Sequence, residues 1–260
     1  VVLYKYQSGT LISETRGYGT ASTATWSYLY DPATLGVTSV MDPLGHLSQA
    51  YYDASGNKLR SIDALDRVTT ATYNSLNNVT SITDPLGLTT SYTYDSAGNM
   101  LTKDEVLTST TPVEHEVTTL SYDSAHPGDL TAITDPLSHA TTFTYNATTG
   151  ELASTTDATG NKTTYAYNSP TSIGWVTSSV APKGNVTGGT PSNFTTTYDR
   201  DNYGRVTTVK DPLWSSGTPN AHRVVTHYDA NGNIDSLTDG DNNTTTYAYN
   251  PANELLTINR

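Results

Sequence analysis

The chain of 260 residues reads as all-β: an antiparallel β-hairpin repeat strip of about ten units, each 21–23 residues long. Three observations predict this. Tyr followed by Asp or Asn returns at near-constant spacing. Each return opens a stretch with turn chemistry. Between turns lie short segments that alternate with period two. Composition agrees. Apolar residues make up 35% and charged residues 15%, while Thr, Ser, Asn and Gly are abundant and there are 19 Tyr. Thr and Tyr favour strands, and a disordered chain would hold few aromatics.

The anchors are Tyr30-Asp31, Tyr52-Asp53, Tyr73-Asn74, Tyr94-Asp95, Tyr122-Asp123, Tyr145-Asn146, Tyr167-Asn168, Tyr198-Asp199, Tyr228-Asp229 and Tyr249-Asn250. Their spacings are 22, 21, 21, 28, 23, 22, 31, 30 and 21 residues, and a degenerate copy starts at Tyr6. The Asp or Asn bonds its own backbone and opens a turn. The repeat glycines are Gly36, Gly56, Gly98, Gly150, Gly204 and Gly232. Gly supplies a positive φ without steric cost, and Asn77 and Asn253 stand in for it as the next most tolerant residue.

A first strand follows each such turn, as at residues 78–82. A second turn comes next: Asp42-Pro43-Leu44-Gly45, Asp84-Pro85-Leu86-Gly87, Asp135-Pro136-Leu137 and Asp211-Pro212-Leu213. Asp at the first position, Pro at the second and Gly at the fourth is preferred β-turn chemistry. The second strand, as at residues 90–94, alternates and places Tyr92/Tyr94, Phe143/Tyr145, Tyr165/Tyr167 and Tyr247/Tyr249 on one face. Strands joined by tight turns pair antiparallel. About twenty strands result, and a strip that long should curve or coil as twist accumulates.

In the first strand the apolar residues lie three apart: Val79/Ile82, Leu130/Ile133, Val206/Val209, Ile234/Leu237. Three is odd, so either a bulge intervenes or both faces are partly covered. The second is the expectation. Residues 58–62 run one place out of phase, with Lys58 where an apolar residue belongs, and predict local slippage. Insertions near 104–117, 181–193 and 213–223 read as protruding loops, where any binding specificity would sit.

Several classes are disfavoured. A net charge of −12 argues against nucleic acid, which needs a basic stripe, and against an anionic membrane surface. The compact basic group Lys58, Arg60, Arg67 reads as a solvated face. No Cys is present, which excludes disulfides and thiolate chemistry. No apolar run reaches membrane-spanning length, so no membrane insertion is expected. No signal-peptide pattern opens the chain.

Candidate chemistry is sparse. Residues 199–204 (Asp199-Arg200-Asp201-Asn202-Tyr203-Gly204) loosely suggest a calcium loop, but Tyr203 and Lys210 occupy ligand positions. Residues 239–243 are acidic and read as a turn. Glu114-His115-Glu116 falls on an expected loop. Nothing marks a nucleophile elbow, a phosphate loop or a dinucleotide fingerprint. No catalytic residue, metal ligand or cofactor is therefore assigned, and an enzyme is not expected.

The unit resembles the rearrangement-hotspot (Rhs), or YD, repeat. The Tyr-Asp-x-x-Gly cores at Tyr52–Gly56, Tyr94–Gly98 and Tyr228–Gly232, and Gly-x-x-Thr-x-Tyr-x-Tyr at Gly87–Tyr94, carry the resemblance. It implies a strip spiralling into a hollow β-shell, similar to those of bacterial insecticidal toxin complexes, polymorphic toxins and teneurins. The characteristic core region and self-cleaving Asp site of toxin-type members are not found. The chain is expected to be one array, 1–260, taken from a longer secreted bacterial protein. The expected role is a non-catalytic extracellular wall or scaffold, its partners being neighbouring repeats and a possible polypeptide cargo. A self-associating fibre or cell-surface adhesion module is the alternative.

Overall fold

A computed structural model describes residues 1–108, 110–168, 174–214 and 221–260. It forms two compact units, residues 1–128 with 134–138, and 129–133 with 139–260. The strands of the first are β1 (Val2–Gln7), β2 (Thr10–Arg16), β3 (Ala24–Tyr30), β4 (Val37–Met41), β5 (Leu47–Tyr52), β6 (Lys58–Ile62), β7 (Val68–Tyr73), β8 (Val79–Thr83), β9 (Thr89–Tyr94), β10 (Met100–Val106) and β11 (His115–Tyr122). Then come β12 (Leu130–Thr134), β13 (Ala140–Tyr145), β14 (Leu152–Thr156), β15 (Lys162–Tyr167), β16 (Val176–Val180), β17 (Thr195–Arg200), β18 (Val206–Lys210), β19 (Arg223–Tyr228), β20 (Ile234–Thr238), β21 (Thr244–Tyr249) and β22 (Leu255–Asn259). The fold class is all-β, and consecutive strands pair antiparallel within each unit.

Two hairpin types alternate. The Asp-Pro-Leu-Gly type is regular and short: β8 meets β9 through Ser81↔Ser91, Ile82↔Thr90 and Thr83↔Thr89. The Tyr-Asp/Asn type contains a bulge. Tyr73 lies opposite Val79 but Thr72 lies opposite Ser81, so Thr80 is extra. Bulges recur at the same place in the other described hairpins of this type, for example at Thr38, Leu101, Ala153 and Thr177. The odd spacing of the apolar residues is thus resolved by a bulge, contrary to the expectation of two covered faces. One extra residue puts Val79 and Ile82 on the same side, opposite Tyr73 and Ala71.

The expected slippage at residues 58–62 is also absent. Lys58 pairs with Tyr52, Leu59 sits in the bulge and Arg60 pairs with Tyr51. That is the register of the next hairpin, so the turns set pairing and the side chains follow.

One face therefore carries the joint Tyr residues and the apolar first-strand positions. The other carries Ser and Thr, whose hydroxyls bond across strands: Thr93 to Thr102 at 2.6 Å and Thr144 to Ser154 at 2.7 Å. Alternation of exposure along β9 and β13 follows this division. Among the described residues no apolar side chain is buried; the buried side chains are those of Glu151 and Ser154. Stability therefore rests on ladders and nearest-neighbour contacts, as in other repeat architectures.

Two of the insertions differ from protruding loops. Residues 104–106 and 115–117 pair as extensions of β10 and β11, Asp104 opposite Val117. Glu114-His115-Glu116 accordingly enters a strand, and His115 Nδ1 lies 2.8 Å from Asp104 Oδ1. The 181–193 insertion folds back as two 3-10 turns, Pro182–Gly184 and Pro191–Phe194. Of 213–223, residues 215–220 lie outside the described residues.

Candidate functional site: the repeating joint

The feature repeated most faithfully is the joint between hairpins. At Asp53, Oδ1 accepts the backbone N–H of Ser55 and of Asn57, both at 2.9 Å. The Asp53 N–H donates to the Asn57 carbonyl, and the Gly56 N–H to the Asp53 carbonyl. Gly56 has φ of +84°. Asn74, Asp95 and Asp229 open the same turn, with Asn77, Gly98 and Gly232 at positive φ.

The Asp-Pro-Leu-Gly turns use the same geometry. Asp84 Oδ1 accepts the N–H groups of Leu86 and Leu88 at 2.8 Å, and Gly87 has φ of +82°. Asp42, with Pro43 and Gly45, matches it. Asp135 and Asp211, each followed by Pro (Pro136, Pro212), accept from Leu137 and Leu213. Both edges of the strip thus turn on one device: a carboxylate or amide oxygen bonding two N–H groups around a left-handed residue.

Tyr30-Asp31 and Tyr145-Asn146 make the turn one residue longer. Asp31 N–H reaches the Gly36 carbonyl, and Asn146 N–H the Glu151 carbonyl. The left-handed residue is then Leu35 or Gly150, with φ of +57° and +74°. Gly36 is not at positive φ. It is needed because a Cβ there would lie 2.9 Å from the Tyr52 ring. Asp123, after Tyr122, bonds the N–H groups of Ala125 and His126.

The Tyr of each joint has a separate task. Past Ser81↔Ser91 the ladder between β8 and β9 ends, and Tyr94 Oη donates across the opening to the Val79 carbonyl at 2.7 Å. The same bond joins Tyr52 to Val37 (3.0 Å), Tyr73 to Lys58 (3.0 Å), Tyr145 to Leu130 (2.9 Å), Tyr167 to Leu152 (2.8 Å) and Tyr249 to Ile234 (2.9 Å). Each acceptor lies fifteen residues upstream. Tyr30 and Tyr228 reach Leu11 and Val206 over longer intervals. Tyr is suited to this because its ring covers apolar surface while its hydroxyl finds a partner. Burial pushes the Tyr94, Tyr145 and Tyr167 phenols above their ordinary value, so they remain donors.

One anchor read from the sequence is displaced. Tyr198-Asp199 does not open a turn; both lie within β17. The turn opens at Asp201, whose Oδ1 accepts from Tyr203 and Arg205 and which closes on Gly204. Arg200 takes the tyrosine's place: its Nε donates to the Val176 carbonyl at 3.0 Å and its guanidinium also bonds the Gly204 carbonyl at 2.7 Å. The signal was present, since Asp201-x-x-Gly204 repeats the turn spacing two residues after the Tyr-Asp pair.

Neighbouring joints also touch. Asn57 Nδ2 donates to Asn77 Oδ1 at 2.8 Å, and Asn233 Nδ2 to Asn253 Oδ1 at 2.9 Å. Glu151, 7% exposed, accepts from Thr149 Oγ1 and the Gly174 N–H. The joint oxygens are occupied by the chain's own donors. In the suggested calcium loop, Asp199 pairs with Lys210 and Asp201 with Arg205. In residues 239–243, Asp239 takes up the Asp241 and Asn243 N–H groups and the Asn243 amide. No cluster of metal-ligating side chains occurs among the described residues.

These features define a structural repeat module in which eight tyrosines and Arg200 each tie one hairpin to the preceding one. Residues 52–86 and 73–109 match the family model named RHS Repeat. Residues 52–109 of the chain thus carry Rhs, or YD, repeats. Its fold is similar to that in the crystal structure of TcdB2-TccC3 without its hypervariable C-terminal region, at 14% identity and a TM-score of 0.65 over 98% of this chain. A second structure, of TcdB2-TccC3, aligns at 15% identity and a TM-score of 0.50 over 97%. The chain spans only 15% and 14% of those chains. No curated protein matches it.

Proposed function

We propose that this chain is a non-catalytic wall segment of a secreted bacterial scaffold, holding a surface against a polypeptide cargo or against further components of the same assembly. The observation that carries this is the recurrence of the Tyr-to-carbonyl joint. Chemistry requires one distinguished constellation, whereas this chain invests its polar groups in the same inter-hairpin bond throughout. Similarity in fold to TcdB2-TccC3 supports the wall reading. The net charge of −12 fits an exported surface, and no helix among the described residues is long and apolar enough to cross a membrane. The test is imaging and proteolysis of the full-length secreted protein. A wall segment gives closed particles within which a downstream polypeptide resists protease. Full cleavage of that polypeptide while the repeats stay intact would overturn the reading.

A self-associating fibre or adhesion module is the second reading. In such a module, unpaired strand edges would template further strands. Filaments in negative stain, growing with protein concentration, would support it over the closed particle.

A further inference from the structure

The repeats provide an internal control, because each position can be compared with its equivalents in the same chain. Two positions on the tyrosine face depart together. Opposite the joint Tyr or its substitute, the described hairpins carry Leu, Val, Met or Ile, as at Val37, Val79 and Leu152; only Lys58, opposite Tyr52, is charged. The next cross-strand pair on this face normally includes a large side chain, as in Tyr28/Val40, Ala71/Ile82 and Phe143/Thr155. Among the described hairpins, only here is it a pair as small as Ala50/Ser61. The missing side chains leave a cavity of about 350 Å³ whose lining includes Val37, Val40, Tyr52 and Lys58, together with the Asp63 and Arg67 pair.

Of the two cations in the lining, Lys58 is exposed and not neutralised. Tyr73 Oη bonds the Lys58 carbonyl at 3.0 Å and pins its backbone. The other two members of the basic group are engaged: Arg67 pairs with Asp63 at 2.6 Å, and Arg60 lies 5.6 Å from the Tyr51 ring centre on the opposite face. Lys58 has no ion-pair partner among the described residues.

We propose that this cavity is a binding site for a small carboxylate with an apolar, aromatic body. The body would fill the space vacated at Ala50 and Ser61 against Val37, Val40 and Tyr52, and its carboxylate would meet the Lys58 ammonium. The size falls within the range of small-molecule sites, which combine apolar walls with a few placed polar groups. Asp63 and Arg67, which also line the cavity, neutralise each other in an ion pair, so Lys58 is left as its uncompensated cation and supplies the complementarity.

The test is a titration of the folded chain with 3-phenylpropanoate and with 3-phenylpropanamide, followed by amide chemical shifts. The acid shifts residues of β5 and β6, and binds about tenfold more tightly than the amide. Lys58→Val, the residue found at Val79, abolishes that preference while leaving weak binding of both probes. Ala50→Tyr, the residue found at Tyr92, removes binding of both. No response of the unmodified chain, equal binding of acid and amide, a preference that survives Lys58→Val, or unchanged binding by a folded Ala50→Tyr variant would each overturn the proposal. Because the readout is confined to one hairpin, it stands or falls separately from the wall function.

Discussion

At the scale of the residue, the joint tyrosine and the left-handed residue dominate. Tyr94→Phe keeps the ring and removes the donor to Val79. An unmet hydrogen bond of this kind costs about 1 kcal/mol. Hydrogen exchange should therefore quicken in β8 and β9 but not in β1 and β2; uniform exchange throughout would count against a local joint. Leu35 is the opposite case, a bulky side chain at φ +57° that is 67% exposed. Left-handed backbone costs an L-residue roughly 1–2 kcal/mol, partly offset by the greater chain entropy of Gly. Leu35→Gly should stabilise the surrounding hairpins by about 0.5–1 kcal/mol, seen as a raised urea midpoint. A lowered midpoint would show that the Leu side chain contributes more than its backbone strain costs.

At the scale of the element, the paired hairpin and its bulge are the unit. The bulge explains why alternation fails in the first strand, and the turn explains why register survives Lys58. Arg200 shows that the inter-hairpin bond is retained when the residue type is not. Arg200→Met keeps length and apolar contact but leaves the Val176 and Gly204 carbonyls without this donor, at a cost of about 1–3 kcal/mol. Arg200→Tyr restores the repeat residue and should recover most of the loss in thermal denaturation. If Met and Tyr behave alike, the hydrogen bond to Val176 is not what matters at this joint.

At the scale of the whole molecule, the shared turn device makes stability acid-sensitive in a defined direction. Hydrogen bonds from the Asn161 and Thr159 side chains, then from the Asn161 backbone, hold Asp157 at about 2. Asp53, Asp95, Asp229 and Asp239 are lowered by the side-chain amides of Asn57, Asn99, Asn233 and Asn243 and then by backbone N–H groups. A carboxylate lowered in the folded state contributes stability that is full above its unfolded value near 4 and is lost as pH falls through its folded value. Unfolding free energy should be flat from pH 7 to about 5 and decline from about 4 towards 2. Because the lowered groups lie in separate turns, the decline should be gradual and spread over the hairpins that carry them. A single sharp loss confined to one hairpin, or stability that rises on acidification, would contradict this.

Much of this was legible in the chain. Repetition of Tyr-Asp/Asn, Gly and Asp-Pro determined the fold class, the hairpin order and the position of nearly every turn, because turn geometry depends on a few adjacent residues. The fold of the 104–117 insertion was not legible, since pairing there is decided by the opposing strand. Nor was the bulge, which is a relation between two strands and has no residue type of its own. Arg200 was hidden because its role depends on reaching a carbonyl in another hairpin, not on resembling tyrosine. The sequence by itself determined what is local and repeated. Only the tertiary structure decided which face each side chain takes, which hydroxyl meets which carbonyl, and that Lys58, Ala50 and Ser61 surround one cavity, because those facts follow from register across strands.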